Sequence, residues 1–282
     1  MAEKQTIIMI RISKTLHSLL LISVFLLNGF QAIAQKKINF DEGWKFHFGN
    51  SANPEKDFDY GSTLLFHKSN VFETTIINPK FVDTAWTKIA IPHDWVVELP
   101  FVKSTTHAMD SHGYKPVGGL YPETSIGWYR KHFSIDKKDE GQRFEIQFDG
   151  IYRNAVIWIN GFYVGTNFSG YVGKSYDITD YMNFESENVI VVRVDATQSE
   201  GWFYEGAGIY RHVWLNVFNN VHIPEDGVFV HSTVNGKNAS ITIETEVENK
   251  NLTTSKGTIY SFVTDRNGKQ IAKTSEDRKS VV

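Results

Sequence analysis

The residues best suited to contact chemistry stand in one short run. Trp202, Phe203, Tyr204 and Glu205 immediately precede Gly206-Ala207-Gly208. Three rings offer broad apolar faces, and the carboxylate accepts hydrogen bonds. Such a run makes a binding loop, or a ring cluster that packs against another protein surface. A second ring-rich segment spans residues 110–125 and holds His112, Tyr114, Tyr121 and Glu123 among Gly113, Pro116, Gly118, Gly119 and Pro122. Its composition is that of an ordered loop, either functional or at an interdomain contact. His93, His107 and His112 match no metal-site spacing, and the absence of cysteine excludes thiolate sites, disulfides and a catalytic thiol. No cofactor and no metal are expected.

The scaffold that carries these loops reads as β throughout. After the glycine run, Ile209, Arg211, Val213, Leu215 and Val217 alternate with Tyr210, His212, Trp214 and Asn216, the period of a two-faced strand. Further strands are expected at Trp44–Phe48, Trp86–Ile91, Gly127–Ile135, Arg143–Asp149, Asn154–Asn160, Phe162–Thr166, Tyr176–Ile178 and Asn188–Asp195. Asn154–Asn160 is apolar on both faces, as a strand covered on both sides would be. Asn160-Gly161 supplies a hairpin turn. Residues 50–80 are polar and broken by Pro54, Gly61 and Pro79; they read as a long loop with a short helix near Asp57–Phe66. In Pro92-His93-Asp94-Trp95, Asp94 suits turn or backbone capping and Trp95 suits the core. About nine strands fit a jelly-roll or similar β-sandwich.

Past Phe218 the pattern changes. Asn219-Asn220 and Pro224-Glu225-Asp226-Gly227 make a linker. Val228–Val234, Ser240–Val247, Gly257–Val263 and Lys269–Lys273 then read as strands, followed by a polar tail over Ser275–Val282. Four strands resemble the first half of an immunoglobulin-like sandwich, which leaves an unpaired edge and an open face.

At the other end, Lys4, Arg11 and Lys14 precede the apolar stretch Leu19–Leu27 and the small-x-small sequence Ala32-Ile33-Ala34. This is the pattern of a secretory leader cut before Gln35. Export without disulfides fits a Gram-negative periplasm or exterior. A net charge of -3 with no basic patch argues against nucleic acid, and no membrane association is expected once the leader is gone.

Seven motifs occur in one order: Phe40-Asp41-Glu42-Gly43-Trp44, Ile91-Pro92-His93-Asp94-Trp95, Gly127-Trp128-Tyr129-Arg130-Lys131, Phe148-Asp149-Gly150, Ala155-Val156-Ile157-Trp158-Ile159-Asn160-Gly161, Tyr176-Asp177-Ile178-Thr179, and Gly206 through Leu215. Together they resemble the N-terminal sugar-binding domain of glycoside hydrolase family 2, most like β-galactosidases of Bacteroides-type bacteria. With the leader at 1–34, the resemblance implies a jelly-roll at 35–220 and a partial, truncated immunoglobulin-like domain at 221–282. It implies a carbohydrate partner of β-galactoside type and, as a missing partner, a catalytic TIM barrel in the same or a separately encoded chain. Family members hydrolyse β-glycosides with retention through two barrel glutamates. The acid/base glutamate there follows an asparagine, and this sequence has no Asn-Glu dipeptide. No catalytic residue is therefore expected here, and the chain by itself should be inert. In relatives the segment before Gly206 shapes the pocket rim. Its counterpart here would stack a ring of Trp202, Phe203 or Tyr204 on a sugar while Glu205 accepts a hydroxyl, with His112, Tyr114, Tyr121 and Glu123 as a second part of the rim. The alternative is a free-standing carbohydrate-binding module without hydrolase activity.

Overall fold

The computed structural model describes residues 6–11, 35–61, 74–103, 115–198 and 205–280. The chain divides into two compact units, Lys36–Val217 and a smaller one of Met1–Gln35 with Phe218–Val282. In chain order the strands are β1 Thr6–Arg11, β2 Lys36–Asn39, β3 Trp44–Phe48, β4 Thr87–Ile89, β5 Ile126–Phe133, β6 Arg143–Phe148, β7 Ala155–Ile159, β8 Phe162–Asn167 and β9 Lys174–Asp177. They continue with β10 Asn188–Asp195, β11 Val213–Phe218, β12 Val221–His222, β13 Val228–Asn235, β14 Asn238–Thr245, β15 Glu248–Asn249, β16 Ser255–Thr264 and β17 Gln270–Ser280.

The larger unit is a jelly-roll sandwich. One sheet runs β4-β3-β5-β10-β7-β8 and the other β2-β11-β6-β9. Between them lie the inward residues of alternating strands, among them Trp44, Tyr129, Phe144, Ile146, Phe148, Ile157, Ile190, Val192 and Val213. The period-two pattern of β6 explains its share: Phe144, Ile146 and Phe148 are at most 1% exposed.

The six-stranded sheet is covered on its outer face as well. Trp128, Trp158, Val189 and Val191 form a second apolar cluster with Ile76, Ile77 and Trp86. The polar-looking stretches 49–61 and 74–86 supply this cover, and they do so with buried charge. Asp57 accepts from Arg193 Nη2 at 2.8 Å and from Trp128 Nε1 at 2.7 Å. Asp83 accepts from Arg130 Nε at 3.0 Å, Lys45 Nζ at 2.5 Å and His132 Nε2 at 2.9 Å. Burial alone would raise the Asp83 carboxyl, but those hydrogen bonds win and hold it at about 2. Of the helix expected near Asp57–Phe66, the described residues show the 3-10 turn Glu55–Asp57, a break at Phe58 and Asp59 with positive φ, and helical backbone resuming at Tyr60 and Gly61; residues 62–73 lie outside the described set.

Register decides which loops share an end of the sandwich. Asn188 pairs with Phe133 and Asp195 with Ile126, while Ile190 faces Ile159. One end therefore gathers residues 134–142, 160–161 and 178–187. The other gathers residues 149–154, 168–173, 196–198 and 205–212.

In the smaller unit β1, β14 and β13 form a three-stranded sheet, β12 pairs with β15, and β16 with β17. Turns at Gly236 and Gly268 take positive φ, as tight hairpins require. The tail expected over Ser275–Val282 is instead β-structure to Ser280, because Ser255–Tyr260 provide a full antiparallel partner for Ser275–Ser280. The leader expected at 1–34 is described only at Thr6–Arg11, which pairs with Ser240–Thr245.

Candidate functional site

The glycine run is held by a backbone clasp. His93 N donates to Ile209 O at 2.8 Å, and Trp95 N donates to Ala207 O at 3.1 Å. Asp94 Oδ1 accepts both Val96 N and Ala207 N, capping the 3-10 turn Trp95–Glu98 and pinning the loop with one oxygen. Trp95, 1% exposed, fills the core beneath. From the other side Tyr152 and Gly208 exchange both backbone hydrogen bonds, at 2.9 and 2.7 Å. Gly208 sits at φ +122°, and a Cβ there would overlap His93 O and the Tyr129 hydroxyl. Only glycine serves at this crossing.

Glu205, half-buried, leads into this clasp. The β6–β7 connection delivers Tyr152, which feels the Glu205 charge, and Arg153 next to it. Burial first, and the Glu205 charge second, push the Tyr152 hydroxyl well above its ordinary value, so it remains a protonated donor at neutral pH. The Arg153 guanidinium lies 5.7 Å from the Tyr152 ring centre. Tyr171 meets Tyr152 edge-on at 5.6 Å and is 49% exposed. Its loop is fixed by Tyr210, whose hydroxyl donates to Gly170 O at 2.8 Å, and by Asn167 Nδ2, which donates to Val172 O. Gly170 is a glycine because the Tyr152 ring occupies the place of its Cβ. His93 is half-buried, and that desolvation lowers its imidazole below the ordinary value; its Nδ1 lies 2.8 Å from the Tyr129 hydroxyl.

The strand that follows the clasp starts later than its pattern suggests. Ile209 and Val213 are buried, but Arg211 is exposed, because β11 opens only at Val213. The polar side is anchored instead: Asp41 accepts from Val213 N at 2.9 Å and contacts His212 Nδ1 at 2.7 Å, and Trp214 Nε1 donates to Asp149 Oδ2.

Of the expected rim residues, Trp202, Phe203, Tyr204, His112 and Tyr114 lie outside the described set. Tyr121 and Glu123 occupy a turn tied by Ser125, whose Oγ donates to Gly118 O and Tyr121 O. That turn reaches the clasp through Trp95 Nε1, which donates to Thr124 O at 2.8 Å. The sequence reading passed over Tyr152, Arg153 and Tyr171. Their signal was present: a Tyr-Arg pair after Gly150, and a tyrosine between Gly170 and Gly173, in connections between strong strands. Among the described residues no group of three or more His, Cys, Asp or Glu is placed to hold a metal. The site offers donors, acceptors and rings, which is binding chemistry for a polyol.

The jelly-roll thus gathers rings, a guanidinium and a carboxylate at one end. Residues 78–218 match the family model described as glycosyl hydrolases family 2, sugar binding domain. The chain belongs to glycosyl hydrolase family 2. It is 35% identical over 224 residues to the β-galactosidase BoGH2A of Bacteroides ovatus, covering 79% of this chain and 25% of that protein. It is 29% identical over 242 residues to a β-glucuronidase of Formosa agariphila, covering 78% and 24%. Among solved structures, a family 2 member from Bacteroides cellulosilyticus superposes with a TM-score of 0.68 at 29% identity, covering 87% of this chain and 29% of that one. A β-glycosidase from Bacteroides vulgatus gives 0.66 at 30% identity, covering 86% and 28%. The chain thus spans about a quarter of the length of these relatives.

Proposed function

We propose that this chain is the N-terminal accessory region of an exported, retaining β-glycosidase of β-galactosidase type. The observation that carries the reading is the 35% identity to BoGH2A over 79% of the chain. In this reading the hydrolysing carboxylates, a pair about 5 Å apart, belong to a barrel that these 282 residues do not include. The Glu205 loop and the Tyr152–Arg153–Tyr171 cluster form part of the rim that meets that barrel and its terminal sugar. Residues 1–34 act as the leader, and residues 221–282 form part of an immunoglobulin-like domain. Support for the rim role comes from the clasp, which fixes the glycine run from two sides.

Purified 282-residue chain incubated with an aryl β-galactoside should show no turnover, whereas the longer protein containing it should turn over. In the longer protein Glu205→Ala should raise KM with kcat little changed. Turnover by the short chain alone would overturn the proposal. The exported product should begin at Gln35 on N-terminal sequencing.

A further inference from the structure

The end of the sandwich opposite the Glu205 loop carries a groove that the proposed function leaves unused. Its volume is about 920 Å³, within the range of small-molecule sites. Phe162 opens β8, the edge strand of the six-stranded sheet. It stacks on Tyr181 with ring centres 5.6 Å apart and planes 24° from parallel. Tyr181 is rooted against the main core, while Phe162 belongs to neither apolar cluster and is 44% exposed. The result is a ring platform laid on the outside of a rigid wall.

The wall is preorganised by three asparagines. Asn160 Nδ2 donates to Tyr181 O and to Asn188 Oδ1, both at 2.7 Å. Asn188 in turn accepts Asn183 N at 2.8 Å and donates to Asn183 O. This lattice ties the β7–β8 turn to the 3-10 turn Thr179–Tyr181, so binding would cost little ordering of the platform. Around the platform stand Glu140, Asp180, Glu185 and Glu187, against Lys80. That balance disfavours an anionic ligand. It also serves a cationic one poorly, because Glu185 is held by Lys137 at 2.9 Å and Glu187 by His132 at 2.7 Å. A ring platform beside carboxylate acceptors suits a ligand with a C–H face and hydroxyl donors.

We propose that this groove binds a neutral saccharide, one sugar ring lying on Phe162 and its hydroxyls donating to Asp180 and Glu140. The site is separate from the clasp and would hold a polysaccharide at the far end of the sandwich. Affinity electrophoresis of the 282-residue chain in gels containing β-galactan, hydroxyethylcellulose or xylan tests it. At least one polymer should retard the chain. Phe162→Ala should weaken that binding about tenfold or more, and Asp180→Asn several-fold. Tyr163→Ala, at the next position along the strand and 50% exposed, should leave it unchanged. Far-UV circular dichroism should show each variant folded. Retardation by none of the polymers, wild-type retardation of Phe162→Ala, or capture on polylysine in place of neutral polymer would overturn the proposal. Aryl β-galactoside turnover by the longer protein should not respond to Phe162→Ala, so failure here leaves the proposed function standing.

Discussion

Two eight-residue strands of similar appeal to the eye have opposite fates. β10, Asn-Val-Ile-Val-Val-Arg-Val-Asp, has seven of its eight residues buried. β13, Val-Phe-Val-His-Ser-Thr-Val-Asn, has all eight exposed. The difference is not strand propensity, which both possess. It lies in cover. β10 sits between β5 and β7 with the sandwich core on one face and the stretches 49–61 and 74–86 on the other. β13 is the edge of a three-stranded sheet, and Val228, Phe229, Val230 and Val234 are 50–71% exposed. Strand formation and strand burial are therefore set by different parts of a sequence, the first by the strand itself and the second by what the rest of the chain lays over it.

The sharpest way to break this comparison is to strip the cover from β10. Asp57 and Arg193 are 4% and 7% exposed and paired. Asp57→Ala removes the acceptor of the Arg193 Nε and Nη2, leaving the buried guanidinium its longer bond to Asp195 at 3.3 Å, and removes the acceptor of the Trp128 N–H, a loss of about 3–4 kcal/mol. All seven tryptophans lie between Trp44 and Trp214, so denaturant unfolding followed by tryptophan fluorescence reads this unit alone. Next in size is the sandwich face of the same strand. Ile190→Ala, at a fully buried position, should cost about 3 kcal/mol in that titration. A cost under 1 kcal/mol for either variant would show that the cover is loose.

Much of this contrast was legible in the residues. Alternation placed β3, β6 and β10 within a residue or two, since a half-buried strand must repeat every second position. The two-sided apolar content of Ala155–Ile159 announced cover on both faces, and Trp158 does lie in the outer cluster while Ile157 and Ile159 lie in the inner one. The identity of the cover was hidden. Asp57 sits in a polar stretch with Pro54, Gly61 and Pro79, and Asp83 just past it, and a carboxylate destined for a buried arginine looks like a solvated one until its partner, Arg193 or Arg130, is brought beside it. The candidate site divides the same way. Asp94 was readable as a cap because its partner Val96 N is local, whereas its bond to Ala207 N spans 113 positions. Tyr152, Arg153 and Tyr171 went unread because they converge only through the bridge to Gly208.

Proton uptake tests the cover without mutation. The Asp83 carboxyl is held at about 2 against an ordinary 3.8. A depressed carboxylate stabilises the fold fully above its unfolded value and ceases to do so as pH falls through its folded value. Stability read by tryptophan fluorescence should thus drop by about 2 kcal/mol between pH ~4 and pH ~2 from this group. In Asp83→Asn that component of the slope should vanish, together with a lower stability at neutral pH.

The smallest expected effect bears on the other strand. Val230→Thr keeps the β-branch and changes only polarity at a position 55% exposed. If β13 is bare in solution, amide exchange of β13 and β14 should shift by less than about 0.5 kcal/mol. A loss of 1.5 kcal/mol or more would mean that Val230 is buried in solution. Dilution then separates the possibilities, since a self-associating face weakens as concentration falls and an intramolecular one does not. The contrast with β10 would in that case be one of which chain supplies the cover, and a strand pattern with four apolar residues would again be reporting a buried surface.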